Sequence, residues 1–112
     1  MQQGEIWLVS LDPTIGSKIR KTRPAVIVSC DLVGILPLKV IVPFTEWKNR
    51  YAQVPWMVKI NPGEQNGLSK PSAADALQIR SVSQQRLIQK ARTLSPAQVV
   101  EIVQAIMTVL QH

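Results

Sequence analysis

The sequence predicts a mainly β domain that ends in an α-helix, an α+β arrangement. Three observations favour this class. The chain has 112 residues, 46% of them hydrophobic, which is enough for one core and too little for two domains. Short apolar runs rich in β-branched residues alternate with turns that contain proline or glycine. One long segment near the end has helical periodicity instead. We therefore expect a single domain spanning residues 1–112.

The first three strands are predicted from apolar runs bounded by turn residues. EIWLVSL (5–11) is the first strand, and a loop that starts with DPTIGS continues to Thr22. PAVIVSC (24–30) is the second strand, and Pro24 stands at its start, where a strand tolerates the missing N–H. LKVIVPF (38–44) is the third strand. Its nearly continuous apolar character predicts that both of its faces are covered.

The second half of the chain is less regular. TEWKNRYAQ (45–53) is polar with two aromatic residues and reads as a loop or short helix. VPWMVKI (54–60) is predicted as the fourth strand. AADALQIRSV (73–82) is predicted as the last strand, although its composition also suits a helix. SQQRLIQ (83–89) is expected to form a short helical turn.

The clearest helix is SPAQVVEIVQAIMTVL (95–110). Ser95 has the residue type of an N-cap, Pro96 suits the first turn, and Gln98 completes a capping box. Apolar residues recur at helical spacing, which indicates a face that contacts the core or a partner. They are Val99, Ile102, Val103, Ile106, Met107 and Leu110.

Charge and cysteine usage restrict the partners and the compartment. Lys and Arg number 13 against 7 Asp and Glu, which gives a net charge of +6 and a pI near 10.0. Such a balance favours a polyanionic partner, although a surface made basic for solubility is the alternative. Cys30 has no second cysteine to pair with, and its place after an apolar run suggests a small buried side chain. With no leader or membrane-length apolar run, we expect a soluble cytoplasmic protein.

Several catalytic classes lack their residues. One histidine, His112, and one cysteine are too few for a zinc cluster of soft ligands or for a triad with a histidine base. The glycines stand singly at 4, 16, 34, 63 and 67, so no nucleotide-binding fingerprint is present. We therefore expect no metal and no cofactor.

The segment KIRKTRP carries Lys18, Arg20, Lys21 and Arg23 between two strands, where neighbouring carboxylates cannot neutralise them. A solvated loop is one interpretation. Arg23 differs because Pro24 restricts its backbone, and its planar fork of donors suits a phosphate. Thr45 places a hydroxyl where the third strand ends. If strands two and three are antiparallel, we expect these two residues at opposite ends of the pair, so that sheet curvature or another arrangement is needed to bring them together.

Several short motifs in order resemble the MazF/PemK/Kid family of toxins from bacterial toxin–antitoxin modules, over nearly the whole chain. They are GEIW (4–7), DPT (12–14), TRP (22–24), VPFT (42–45) and QIRSV (78–82). The resemblance implies a small curved β-barrel of the Src-homology-three-like kind, the CcdB/PemK-type toxin fold, acting as a homodimer. It also implies a sequence-specific, metal-independent endoribonuclease for single-stranded RNA (an mRNA interferase), blocked by a cognate acidic antitoxin. RNA supplies its own 2′-hydroxyl nucleophile, so 2′,3′-cyclic phosphate and 5′-hydroxyl products are expected.

The family's catalytic arginine and threonine match Arg23 and Thr45. The remaining candidates are RNA-binding residues, namely Ser17, Lys18, Arg20, Lys21, Lys70, Asp75 and Gln78. Many family members have an aspartate at the position of Leu77. Asp75 lies two positions earlier and is expected on the same strand face, where it would supply a carboxylate in its place. The alternative is that Asp75 is a surface residue without a catalytic role. Gln78 either reads a base edge or bonds to backbone.

Other side chains leave alternatives open. Arg80 is a candidate ion-pair partner of Asp75 or Glu64. Trp7 and Trp56 are expected in the core, whereas Trp47, near Arg50 and Tyr51, either lines an RNA channel or covers a dimer edge.

Two departures from the family pattern keep other functions open. Many members carry an acidic residue where this chain has Lys18, and an aspartate where it has Leu77. A catalytically weakened relative that binds RNA or an antitoxin is therefore one alternative. A poison of the CcdB type, which binds gyrase through its terminal helix, is the other, but it would not need Arg23 and Thr45.

Overall fold

The computed structural model describes residues 1–11, 22–33, 36–63 and 66–111. These residues form seven strands and one helix. The strands are β1 (Glu5–Ser10), β2 (Thr22–Ile27), β3 (Leu38–Glu46), β4 (Met57–Ile60), β5 (Ser72–Asp75), β6 (Arg80–Ser83) and β7 (Leu87–Thr93), and the helix is α1 (Pro96–Leu110). Short 3-10 turns lie at Asp31–Val33, Asn49–Gln53, Ala76–Gln78 and Gln84–Arg86.

The strands form an antiparallel sheet in the order β4-β5-β3-β2-β1-β7. β5 and β6 pair with the same edge of β3, β6 along its first half and β5 along its last residues. Within the described ranges no ladder joins β4 to β7, so the curved sheet stays open rather than closing into a complete barrel. The predicted class, a mainly β curved sheet followed by a terminal helix, is confirmed.

Apolar side chains cover both faces of the central strands. One core cluster lies between the sheet and α1 and contains Ile6, Val26, Val42 and Ile102. The second cluster uses the alternate residues of the same strands, including Val9, Ile27 and Ile41. Because successive residues of a strand point to opposite faces, this arrangement explains the unbroken apolar runs. The expectation that β3 is covered on both faces is confirmed.

The helix begins as its sequence predicts. The backbone N–H of Gln98 donates to the Ser95 hydroxyl at 3.2 Å, and the Ser95 N–H donates to the Gln98 side chain at 2.9 Å. Both bonds of the capping box are therefore present. Ile102 is fully buried, whereas Met107 and Leu110 are 56% and 71% exposed. Only part of the predicted apolar face contacts the core of this chain.

Three expectations about local structure are wrong. Segment 73–82 is two strands separated by the turn Ala76–Gln78. In segment 83–89 only Gln84–Arg86 forms the expected helical turn, and β7 begins at Leu87. β7 is exposed at every residue after Leu87, so it has no inward-facing apolar pattern that sequence reasoning can detect. Cys30 is exposed rather than buried, because β2 ends at Ile27.

Candidate active site

The β2–β3 register brings the predicted catalytic pair together. Ala25 pairs with Pro43, and continuing this antiparallel register by two residues brings Arg23 opposite Thr45. The expectation that these residues lie at opposite ends of the strand pair is wrong. In an antiparallel pair the start of one strand lies beside the end of the other, so no curvature is needed to join them.

The same face of the sheet continues through β5 to β4. Thr45 pairs with Ala73, and Met57 pairs with Asp75. Because residues two apart in a strand share a face, Arg23, Thr45, Asp75 and Met57 all project from one side. A guanidinium group, a hydroxyl group and a carboxylate are therefore presented together.

The turn Ala76–Gln78 brings further polar groups to this face. Between the pairs Phe44–Ala74 and Ile41–Arg80, β3 advances by three residues while the opposite segment advances by six. The extra residues form the turn, and Asp75 caps it by accepting the Leu77 N–H at 3.1 Å. Asp75 and Leu77 therefore do not share a strand face, contrary to the sequence expectation.

These elements enclose an open pocket with a volume of about 410 Å³. Its lining residues are Leu11, Arg23, Pro43, Phe44, Thr45, Tyr51, Met57, Asp75, Gln78 and Arg80. Four of the predicted site residues therefore lie in one pocket, namely Arg23, Thr45, Asp75 and Gln78. Leu11, Tyr51 and Met57 were not predicted as site residues. Nothing in the sequence indicated that Leu11 or Met57 would lie near Arg23 and Thr45. For Tyr51, the two aromatic residues within the polar segment TEWKNRYAQ were a partial indication.

Lys70 lies outside this pocket. It lines a neighbouring cavity of about 340 Å³ that shares Phe44 and Thr45 with the first. Lys70 is exposed, so its ammonium group is accessible to a ligand that extends past Thr45. The other predicted RNA-binding residues, Ser17, Lys18, Arg20 and Lys21, lie outside the described residues.

The pocket has a surplus of positive charge. It contains the guanidinium groups of Arg23 and Arg80 and the carboxyl group of Asp75. Among residues 1–11, 22–33, 36–63 and 66–111, the ion pairs involve neither arginine, so the predicted pairing of Arg80 with Asp75 is wrong. Glu64, its other suggested partner, lies outside the described residues. Both guanidinium groups therefore keep their donors available to an anion.

The described part of the chain lacks two features. No three His, Cys, Asp or Glu side chains come close enough to form a candidate metal site there. In those same ranges, no helix has the length and apolarity that crossing a bilayer requires.

Comparison with known proteins gives a consistent assignment. Residues 2–110 match the family described as the PemK-like, MazF-like toxin of type II toxin-antitoxin systems. The chain is 33% identical over 112 residues to endoribonuclease MazF9 of Mycobacterium tuberculosis, covering 95% of this chain and 92% of that protein.

Solved structures share the fold at lower identity. A MazE–MazF structure from Deinococcus radiodurans has a TM-score of 0.77 at 20% identity, covering 98% of this chain and 95% of that one. An endoribonuclease from a mycobacterial species, in complex with its cognate antitoxin, has a TM-score of 0.76 at 21% identity, covering 98% and 94%. The fold is thus that of small toxins of toxin–antitoxin modules. This chain belongs to the PemK-like, MazF-like toxin family.

Proposed function

We propose that this protein is a sequence-specific endoribonuclease that cleaves single-stranded RNA and serves as the toxin of a type II toxin–antitoxin module. The observation that carries the proposal is that Arg23 and Thr45 line one pocket, together with a second guanidinium group from Arg80. The relative that is 33% identical along nearly the whole chain is named an endoribonuclease, which supports the same reaction.

The proposed reaction uses the RNA 2′-hydroxyl as nucleophile. Its oxygen forms a bond to the adjacent phosphorus, and the bond from phosphorus to the 5′-oxygen of the next nucleotide breaks. The 2′-hydroxyl proton passes to a base, and the leaving 5′-oxygen gains a proton. The products are a 2′,3′-cyclic phosphate and a 5′-hydroxyl, and no cofactor is consumed.

The pocket residues have distinct roles in this proposal. Arg23 binds the scissile phosphate and stabilises the additional negative charge of the transition state, and Thr45 donates to a phosphoryl oxygen. Asp75 accepts the 2′-hydroxyl proton, because it is the only carboxyl group that lines the pocket within the described residues and a carboxylate is a suitable general base. Arginine remains protonated near neutral pH and is unsuited to that role.

The remaining predicted residues would bind the rest of the RNA. Gln78 lies in the pocket and has donors and acceptors for a base edge. Lys70 would contact a phosphate beyond Thr45, since the two residues line the same neighbouring cavity. We retain the assignment of Ser17, Lys18, Arg20 and Lys21 to RNA binding, because this basic segment directly precedes Arg23 in sequence.

The proposed setting is cytoplasmic, with two protein partners. A net charge of +6 suits a cognate acidic antitoxin, which would compete with RNA for the same cationic groups. A second copy of the chain is the other partner, since α1 exposes Val100, Met107 and Leu110. These residues lie on one side of the helix, and burying them against a partner would remove apolar surface from water.

The proposal is tested with a long, mixed-sequence single-stranded RNA in excess EDTA. The wild-type protein is compared with Arg23→Ala, Thr45→Val and a control, Arg92→Ala, which removes an exposed arginine outside the pocket. We expect discrete cuts with cyclic phosphate ends for the wild type and the control. The Arg23 and Thr45 variants should be slower by about a hundredfold to a thousandfold, the effect of losing one preorganised donor.

Intact RNA with a correctly folded wild-type protein would contradict the proposal. A catalytically weakened relative that binds RNA or an antitoxin would then be the better description, with Lys18 and Leu77 as the first positions to restore to acidic residues. Cleavage that depends on added metal would contradict the proposed mechanism but retain the enzyme class.

A further inference from the structure

Four side chains beside the pocket form an aromatic–cation cluster, consisting of Trp47, Arg50, Tyr51 and Lys59. The Trp47 and Tyr51 rings are 5.8 Å apart between centroids and nearly perpendicular, at 76°. The Arg50 guanidinium lies 5.4 Å from the centre of the Tyr51 ring. The Lys59 ammonium lies 5.3 Å from the centre of the Trp47 ring. Two aromatic rings and two cations are thus in direct contact.

Core packing does not explain this cluster. Trp47 and Tyr51 are only half-buried, Arg50 and Lys59 are exposed, and the turn Asn49–Gln53 contains no buried residue. Large aromatic side chains that serve a core lie among apolar neighbours away from water. Here the rings remain accessible, and Tyr51 lines the pocket that contains Arg23 and Thr45.

Backbone hydrogen bonds hold the rings in position. The Trp47 N–H donates to the Pro71 carbonyl at 3.1 Å, which ties the start of the segment to the chain entering β5. The Tyr51 N–H donates to Lys48 at 2.8 Å, and the Val54 N–H donates to Tyr51 at 2.9 Å. Met57, at the start of β4, donates its N–H to Val54 at 3.1 Å. The tyrosine is therefore anchored on both sides, which lowers the entropic cost of ligand binding.

The distance from Arg23 to the cluster suits a ligand longer than one phosphate. Arg23 lies on β2 and Met57, which follows the cluster's turn, lies on β4. Strands β3 and β5 lie between them, and the three interstrand spacings span about 14 Å. A phosphate on Arg23 and Thr45 would therefore leave a neighbouring nucleotide close to Tyr51. Aromatic faces bind unpaired bases by stacking, and arginine adds to such contacts.

We propose that the aromatic–cation cluster is the subsite for an unpaired nucleobase that flanks the scissile phosphate. The base stacks against Tyr51 and Arg50, Trp47 supports the tyrosine ring, and Lys59 neutralises a nearby phosphate. The subsite selects unpaired over paired RNA, because a base inside a duplex has no free face to offer. This inference rests on the proposed function, since it assumes an RNA ligand in the pocket.

The test is an abasic scan that does not depend on cleavage. A short 2′-O-methyl RNA that contains the mapped cleavage sequence has no nucleophilic 2′-hydroxyl, so its dissociation constant is measured by fluorescence anisotropy without turnover. If no cleavage sequence is found, a mixed-sequence oligonucleotide of the same length is the probe. Each base is removed in turn, and binding is compared for the wild type, Tyr51→Leu, Tyr51→Phe and Arg50→Ala, with Gln53→Ala as the control on the same turn.

We expect one flanking position at which loss of the base weakens wild-type binding about tenfold to a hundredfold. Tyr51→Leu should bind the intact RNA more weakly by a similar factor and become insensitive to base removal at that position only. Tyr51→Phe and Gln53→Ala should keep the wild-type pattern. Arg50→Ala, whose exposed side chain is removed without disturbing the core, should reduce the effect at the same position.

Abasic patterns that are the same in the wild type, Tyr51→Leu and Arg50→Ala would overturn the inference, even if the wild type cleaves RNA. If the wild type leaves RNA intact but Tyr51→Leu loses the single-position effect, the proposed cleavage reaction is wrong and the base subsite stands.

Discussion

Glu5 at the start of β1 is a buried carboxylate, 8% exposed, that links β1 to the edge strand β7. The Trp7 indole N–H donates to Oε1 at 2.9 Å, and the Lys90 ammonium on β7 lies 3.2 Å from Oε2. Burial on its own would raise the pKa of Glu5. Hydrogen bonds from Trp7, the Gln2 backbone and Lys90, together with the terminal amino charge, lower the pKa below its ordinary value of 4.5. The ionised carboxylate therefore stabilises the folded state.

Glu5→Gln keeps the side-chain size and one acceptor but removes the charge. A hydrogen bond to a charged group contributes about 1.5–3 kcal/mol and a neutral one about 0.5–1.5 kcal/mol, so the Trp7 bond should lose about 1 kcal/mol. The Lys90 side chain is 48% exposed, and loss of this screened ion pair should cost less than about 1 kcal/mol. Relief of the buried charge opposes both losses. We expect a net destabilisation of about 1 kcal/mol, which lowers Tm by about 4 °C in a domain of 112 residues.

The sign of the pH dependence follows from the lowered pKa of Glu5. Its stabilising contribution is complete above the unfolded-state value, near 4.5, and is lost as the pH falls through the lower pKa of the folded state. The Tm difference between wild type and Glu5→Gln should therefore be largest near neutral pH and should disappear in acid. Thermal unfolding by circular dichroism across this pH range measures the difference, with a control variant, Glu101→Gln, at an exposed position of α1. A Tm difference that persists unchanged in acid would refute the electrostatic argument and indicate a packing defect.

Two further predictions concern the proposed base and the proposed dimer. Asp75→Asn retains an oxygen that can accept the Leu77 N–H, so the turn should persist. The cleavage rate should fall about a hundredfold to ten-thousandfold; an unchanged rate would exclude Asp75 as the base. Met107→Glu places a charge on the exposed apolar side of α1 and should convert a dimer into a folded monomer in analytical ultracentrifugation. Thr108→Glu, about 100° further around the helix, should leave the dimer intact. If Met107→Glu is also a dimer, α1 does not form this interface.

Sequence reasoning succeeded where a local rule decides the structure. β1, β2 and β3 are apolar runs bounded by turn residues, and α1 starts at its capping box. It failed for β7, because an exposed edge strand is stabilised by its pairing with β1 rather than by a pattern of its own. Sequence reasoning also predicted β5 and β6 as one strand. The turn Ala76–Gln78 between them is recognised only from the strand pairing, because the segment has more residues than the part of β3 that it pairs with.

The site shows the same division. Arg23 and Thr45 were identified by resemblance to a toxin family, and the rigid backbone imposed by Pro24 gave a physical reason for Arg23. Their closeness was predicted wrongly, although the antiparallel rule alone was sufficient to place them side by side. Tyr51 and Met57 reach the pocket through the order of β3, β5 and β4, which no spacing along the chain reveals.

The sequence by itself determined the class of the domain, its basic character, the capped helix, and the residue types available for phosphate chemistry without a histidine base. These properties depend on composition and on contacts between residues close in sequence. The tertiary structure decided which of those residues meet. Strand register is set by packing across the whole sheet, and it is the register that places Arg23 opposite Thr45, Asp75 beside Met57 and an aromatic pair at the pocket wall.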